Sequence, residues 1–487
     1  MPAAPPMLAP DLDPPDWAAA RAQAHRMLDD MLDHMQGLAE GPVWRPPPSE
    51  VRRGVVEPLP RTPQPLDQVH EAFRRLVLPY GVGNGHPRFF GWVHGGGNLA
   101  GALGDMLAAG LNANLGGRDH MPIEIERQVA RWMAELYGFP AGASGLFVTG
   151  ASMANLIAVL IARAEALGAA SRQAGLGAAG GRLTAYASRM AHGCLPKAMD
   201  IAGLGAQALR LVSTDAEGRM DLGALKAAIA EDRAAGHRPF LLVATAGGVE
   251  TGAIDDLAAL ADVARTEDLW LHVDGAFGAL AMLSAELAPL LNGIEHADSI
   301  AFDFHKWGQA PYDAGFVLVR DGAKHQAAFA SHAGYLQREA EGLAAGAPWP
   351  CDLGPDLSRG FRALKVWFAF KTYGADAIGA TILNTCKLAA YLAARIDAEP
   401  ELERLAPAPL NIVCFRYRAG ADVDRLNRRI VTDLQTSGAA APSAAVIDGR
   451  QAIRAAIVNH RTKAHDIDAL VAEVLRLGRV LTQGHAA

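Results

Sequence analysis

The sequence predicts an α/β fold: a large domain built on a mostly parallel central sheet, with an N-terminal helical arm before it and a smaller C-terminal α+β domain after it. Three observations carry this. From about residue 100, short apolar runs alternate with helix-length stretches, the pattern of strands buried on both faces. A chain of 487 residues is too long for one simple core. Its composition, 50% hydrophobic and 20% charged, is that of an ordinary globular enzyme.

In chain order, residues 17–40 read as an amphipathic helix that ends before Gly41-Pro42. A proline-rich connector follows, with Pro46, Pro47 and Pro48, then Pro58, Pro60 and Pro63; it is read as non-helical and surface-running. Residues 1–85 are thus read as an arm of the kind that packs on a partner subunit, the alternative being a floppy linker. In the large domain, 86–375, strands are expected at Gly145–Val148, Thr184–Ala187, Leu209–Ser213, Phe240–Ala244, Leu269–Val273, Ser299–Phe302 and Phe316–Val319. Helices are expected at Met153–Leu167, Asp221–Ala234 and Asp255–Arg265, and segment 163–182 is Ala/Gly-rich. The last unit, 376–487, reads as a long helix (Gly374–Ala398), a strand (Leu410–Tyr417), a helix (Val423–Thr436), an irregular strand region (Ala444–Val458) and a final helix (Ala464–Leu481).

Bulk properties narrow the function. A formal charge of -7 argues against nucleic acid as the main partner, because phosphate binding needs a basic face. Cys194, Cys351, Cys386 and Cys414 form no CxxC pair, so no zinc ribbon or dithiol motif is suggested and no metal site is expected. Such sparse cysteines fit a reducing cytoplasm. Residues 1–16 lack the basic and apolar regions of a signal peptide. Apolar stretches are broken short of the ~20 residues of a membrane helix. A soluble, cytoplasmic protein is expected, without a membrane partner.

The sharpest segment is 270–307, WLHVDGAFGALAMLSAELAPLLNGIEHADSIAFDFHKW. It puts Asp274 at the end of one strand and His305-Lys306 just after another, and ligands on such sheets bind at strand carboxyl ends. An apolar setting would favour the uncharged Lys306 amine, ready for Schiff-base chemistry. A carboxylate at a neighbouring strand end can keep a pyridine nitrogen protonated. Taken alone, the pair also admits the reading of a buried salt bridge. Thr149-Gly150-Ala151-Ser152 ends a strand and opens a helix, which suits either a plain helix cap or an anion on free backbone N–H groups.

HVDGAFG followed by ADSIAFDFHKW resembles the pyridoxal-5′-phosphate (PLP)-dependent group II amino acid decarboxylases, the family of aromatic-L-amino-acid, histidine and glutamate decarboxylases. Further segments follow in the family's order: HPRFFGW (86–92), GDMLAAGLNANL (104–115), IEIERQVARWM (123–133), TGASMANLIAV (149–159), MAHGCLPKAMDIAG (190–203), LLVATAGGVETGAIDDL (241–257), SRGFRALKVWFAF (358–370) and NHRTKAHDI (459–467). The resemblance spans roughly residues 15–480. It implies PLP fold type I (aspartate aminotransferase-like), a homodimer with sites at the subunit interface, and PLP as cofactor. It also implies Lys306 as the Schiff-base lysine, Asp274 as partner of the pyridinium nitrogen and His192 stacked on the ring. Ala276 would cover the other ring face, Thr245 would sit beside the ring, and Ala151 and Ser152 would anchor the phosphate. Ser299, Asp303 and His305 match positions near the phosphate; a carboxylate there is repulsive unless Asp303 works through a backbone amide or another partner. Arg454, Asn459 and Arg461 match a C-terminal pattern that is either functional or structural.

The sequence also departs from the family. There, a tyrosine in a loop ahead of the SRxFRALK segment protonates Cα; residues 338–362 contain none. Trp349 and Pro350 stand nearest its position, and Tyr335 precedes the loop. Loss of that tyrosine is associated in the family with diversion to aldehyde, ammonia and peroxide, so aldehyde synthesis is the first alternative to decarboxylation; transamination and a non-catalytic relative stand behind it. Another acid, such as His192, could supply the proton instead. The expected substrate wall is Trp92, Val93, His94, His120 and Trp349, and Phe89, Phe90 and Trp92 favour an aromatic amino acid.

Overall fold

The computed structural model describes residues 11–168, 170–177, 181–330 and 338–483. Its strands are β1 (Phe89–Phe90), β2 (Ser144–Val148), β3 (Leu183–Ser188), β4 (Leu209–Val212), β5 (Arg238–Thr245), β6 (Trp270–Asp274), β7 (Ser299–Asp303), β8 (Gly315–Val319), β9 (Leu402–Arg404), β10 (Ile412–Tyr417), β11 (Ala441–Ile447) and β12 (Arg450–Ala456). All seven strands expected in the large domain are present. They form one sheet in the order β2-β8-β7-β6-β5-β3-β4. Only β8 runs antiparallel to its neighbours, β2 and β7, so the sheet is mostly parallel.

Successive strand residues point to opposite faces, so unbroken apolar runs fill two cores at once. Leu241, Val243, Ala301 and Val317 pack with Ala154, Ile157 and Ile161 of the helix Ala151–Leu167. Leu242, Ala244, Ile300 and Phe302 pack on the other face with Leu225 and Ile229 of Leu222–Ala234 and with Leu260 of Leu257–Thr266. Asp221 and Asp256 cap those two helices, accepting from Ala224 N and Ala259 N.

The second sheet has the order β1-β11-β12-β10-β9. Phe89 and Phe90 pair with Ala441 and Pro442, so the segment just after residue 86 joins the small sheet rather than the large one. That pairing draws the chain of Trp92 to His94 over the edge of the large domain. The helix Ala375–Ala398 is long and apolar enough, by length and composition, to cross a membrane. Here it buries Ile378, Ile382, Leu388, Leu392 and Ile396 and packs against Gly278–Leu283 and Ala464–Gln483.

The arm differs in one detail. The proline-rich connector contains a short helix, Ser49–Arg53, starting directly after Pro48, where a preceding proline costs no helical hydrogen bond. Further on, the helix Leu66–Leu76 lays buried His70 against Gln23 of the first helix, Trp17–Gln36.

Candidate active site

Register decides which residues meet. Thr245 pairs with Asp274 across β5 and β6, while Gly315 pairs with both Val148 and Asp303. The carboxyl ends of β2, β5, β6 and β7 therefore lie along one edge. Gly315 is required there, because a Cβ would stand 2.3 Å from the Gly150 Cα. A cavity of about 370 Å³ opens at this edge, a size suited to a small organic group. Of the residues expected from the sequence, it is lined by Trp92, Val93, His94, Ala151, Ser152, His192, Thr245, Asp274, Ala276, Asp303, His305 and Lys306.

Asp303 organises one end. Its Oδ1 accepts from the Ala151 backbone N–H at 2.7 Å, and its Oδ2 lies 2.8 Å from Lys306 Nζ. Lys306 is thus paired with Asp303, not with Asp274. His305 accepts from Ala314 N at Nδ1, 3.0 Å, and turns Nε2 toward Asp303 Oδ2 at 3.6 Å; burial pushes its pKa down. Asp303 does work through a backbone amide, the condition under which a carboxylate is tolerable beside an anion site.

Asp274 occupies the opposite end. It is almost fully buried, and burial raises its pKa, opposed by the charges of Lys306 and His192 and by the Ala276 N–H, 3.2 Å from Oδ1. A buried carboxylate so placed calls for a positively charged or proton-bearing partner. Between the two ends, Asp255 fixes Thr245, accepting from Thr245 N at 2.8 Å and from Met220 N at 2.7 Å. Burial pushes Asp255 up to about 6. Thr245 Oγ1 is buried without a hydrogen-bond partner among the described residues. An orphaned hydroxyl, a buried carboxylate and a lysine around one cavity fit a compact polar cofactor such as PLP. His192 lies exposed at the mouth, its Nδ1 accepting from Cys194 N at 3.2 Å.

The wall above Lys306 depends on glycine. A Cβ on Gly95 would sit 2.4 Å from the His305 carbonyl oxygen and 2.5 Å from that of Lys306. Trp92 turns into the wall at φ +50°, unusual for a bulky side chain, and Arg454 holds its carbonyl at 3.0 Å. Arg454 is buried and also binds the carbonyls of Val249 and Glu250. Asn459 and Arg461 hold backbone carbonyls of the same region, Asn84 and Gly96.

Three expected residues lie elsewhere. Ser299 starts β7, about 13 Å along the strand from Asp303 at 3.3 Å per residue, and its hydroxyl meets Trp270 and His272 instead. His120 is half-buried outside the cavity, its Nε2 on the Asn114 carbonyl, before the helix Met121–Leu136. Trp349 is buried away from the cavity, its ring covered by the guanidinium groups of Arg338 and Arg118 at 3.6 and 4.5 Å. Gly117 makes room for it, since a Cβ there would be 2.4 Å from the indole. Tyr335 lies outside the described residues.

The cavity also contains residues that sequence reasoning missed, among them Asn155, Cys194 and Tyr312. Asn155 had a signal: it is a polar residue on the apolar, buried face of Ala151–Leu167. Tyr312 had none, being one aromatic in an irregular loop after HKW. Its ring lies 4.3 Å from that of His305 and 5.8 Å from that of His94.

Residues 48–418 match the pyridoxal-dependent decarboxylase conserved domain. The chain is 33% identical over 457 residues to the aromatic-L-amino-acid decarboxylase of Bacillus atrophaeus, covering 92% of this chain and 93% of that one. It is 30% identical to the phenylacetaldehyde synthase of Arabidopsis thaliana, at 92% and 93% coverage, and 30% identical to the L-2,4-diaminobutyrate decarboxylase of Rhizobium meliloti, at 89% and 87%. The crystal structure of Oryza sativa TDC with PLP and tryptamine superposes with a TM-score of 0.89 at 25% identity, over 97% of this chain and 100% of that one.

Proposed function

The chain belongs to the pyridoxal-dependent decarboxylase family, and from that premise we propose that it decarboxylates an aromatic L-amino acid at the cavity between Lys306 and Asp274. Its class is that of a PLP-dependent carboxy-lyase of fold type I. The observation that carries the site reading is the convergence of Lys306, Asp274, His192, Thr245 and the Ala151 helix start on one cavity.

When bound, PLP supplies a sink for the electrons of the Cα–carboxylate bond. The residues do the rest. Lys306 Nζ would hold the cofactor aldehyde, and Asp274 would hold a proton on the ring nitrogen. The Ala151 helix start and the Ser152 hydroxyl would bind the phosphate. Ala276 and His192 would confine the ring between them, and the Thr245 hydroxyl would bond its edge. Trp92, Val93 and His94 would orient the substrate. Phe89, Trp92, His94 and Tyr312 form a run of neighbouring rings with centroids 5.7–6.2 Å apart, which supports an aromatic side chain. His192 at the mouth is our choice for the Cα proton donor.

We read the chain as an arm (1–85), a cofactor-binding domain (86–375) and a small domain (376–487), paired into a cytoplasmic homodimer. Support for pairing comes from Leu99, Met106, Leu107 and Leu111, all exposed on the helix Leu99–Leu111. A second reading, oxidative aldehyde synthesis, is favoured by the tyrosine-free stretch 338–362.

A panel of L-amino acids, scored for CO2, amine, aldehyde and peroxide with Lys306→Ala as blank, tests the reading. Amine and CO2 from an aromatic substrate support it. Aldehyde with peroxide selects the second reading, and no CO2 from any aromatic amino acid overturns the substrate assignment.

A further inference from the structure

One side chain ties the turn that carries Lys306 to its surroundings. Gln309 N donates to the Lys306 carbonyl at 3.1 Å, closing a turn that ends with Gln309 in the left-handed region, at φ +54°. Residues other than glycine populate that region sparsely, so the conformation needs support from outside the turn. The buried Gln309 amide supplies it. Its Oε1 accepts from Gly96 N at 2.9 Å and faces His460 Nδ1 at 3.2 Å. Its Nε2 donates to the Val458 carbonyl at 2.8 Å and lies 3.5 Å from the Trp307 carbonyl.

Backbone partners fix which way this amide faces. A peptide N–H only donates and a carbonyl only accepts, so the oxygen must meet Gly96 and the nitrogen Val458. His460 Nδ1 then carries the hydrogen in its bond to Oε1. The amide's two lone pairs and two N–H groups are thereby all engaged, on three separate stretches of chain. These are the wall two residues past His94, the lysine turn itself, and the segment that follows β12. The Gln309 carbonyl is taken too, by Asn98 Nδ2 at 2.8 Å.

We propose that Gln309 is a positioning residue for Lys306, locking the turn that carries the amine to the cavity wall and to the segment after β12. A lysine amine rides on a flexible four-carbon stem, so its reach is set by how firmly its backbone is held. Placement of that amine matters for bonding to an aldehyde, and not for binding a ring or a phosphate. The inference rests on the reading of Lys306 as the amine that holds the cofactor.

The test titrates full-length apoenzyme with PLP and, separately, with pyridoxine 5′-phosphate, whose alcohol cannot bond to an amine. Tryptophan fluorescence reads both dissociation constants. Gln309→Met removes all four hydrogen bonds at similar length, and Gln309→Glu keeps the acceptor for Gly96 while losing the donor to Val458. Gln309→Met is expected to weaken PLP binding about tenfold and Gln309→Glu about threefold. Neither should weaken pyridoxine 5′-phosphate, whereas a merely structural residue would weaken both ligands alike. Gln309→Met should add nothing to the loss of PLP affinity in a Lys306→Ala background.

Unchanged PLP affinity in Gln309→Met, or equal losses for the two ligands, overturns the proposal while leaving Lys306 in place. If Lys306→Ala keeps the unaltered protein's preference for PLP over the alcohol, the assignment of Lys306 fails and this inference with it. Should Gln309→Met not fold, Gln309→Glu decides: a PLP affinity equal to that of the unaltered protein refutes the positioning role.

Discussion

Asp303 shows how much one carboxylate can organise: one oxygen takes the Ala151 N–H and the other the Lys306 amine. Asp303→Ala is therefore expected to leave a buried N–H unpaired and Lys306 unrestrained. PLP affinity should fall by about tenfold or more, since charge-assisted bonds of this kind are worth roughly 1.5–3 kcal/mol. Equilibrium titration with PLP measures it, and wild-type affinity would show that Ala151 and Lys306 are held by something else. Placement was legible where chemistry is rare at a strand end, as for Lys306 and Asp274, which both line the one cavity. It was misleading for Ser299, which lies in the same motif but starts the strand that Asp303 finishes. Trp349 likewise followed from motif position, whereas its ring is claimed by two arginines.

Elements hold these residues through a few contacts that sequence does not advertise. The buried pair Arg359–Glu126 joins the helix Met121–Leu136 to β2, Arg359 also binding the carbonyls of Leu115 and Phe147. Arg359→Met strands a buried carboxylate and should cost about 3–5 kcal/mol, read as a lowered urea midpoint. A shift below 1 kcal/mol would mean that water reaches Glu126. Gly95→Ala should act differently, pushing the wall off the Lys306 backbone. It is expected to reduce PLP binding with little change in thermal stability of the apoenzyme, and intact binding would deny that the close approach matters. The seven large-sheet strands were legible because each is an apolar run of strand length between helices. The pairing of Phe89–Phe90 with the small sheet was not, because two residues carry no pattern and their partner lies some 350 positions away.

The whole molecule carries neutral histidines, buried or half-buried, whose cost appears in acid. His272 is held near 3, and His325 and His460 near 4, all by burial. Each lies below the usual 6.5, so below that pH the unfolded chain binds more protons than the folded one. Stability is complete above pH 6.5 and is lost as pH falls toward 4. His325 alone accounts for about 3 kcal/mol across that window. Urea midpoints at pH 7 and pH 4.5 should differ markedly for the parent and by less for His325→Gln; an equal difference in both would remove His325 from the account. Quaternary structure belongs to this scale too. Leu107→Glu on the exposed helix Leu99–Leu111 should shift the protein toward monomer in analytical ultracentrifugation. An unaltered sedimentation profile would place the subunit contact elsewhere.

Most directly, the account stands on a covalent link between the cofactor and one amine. Borohydride reduction of the PLP-loaded protein, followed by peptide mapping, should place a pyridoxyl group on Lys306 and on no other lysine. A label on a different residue, or a protein that takes up PLP and carries no label after reduction, would contradict it.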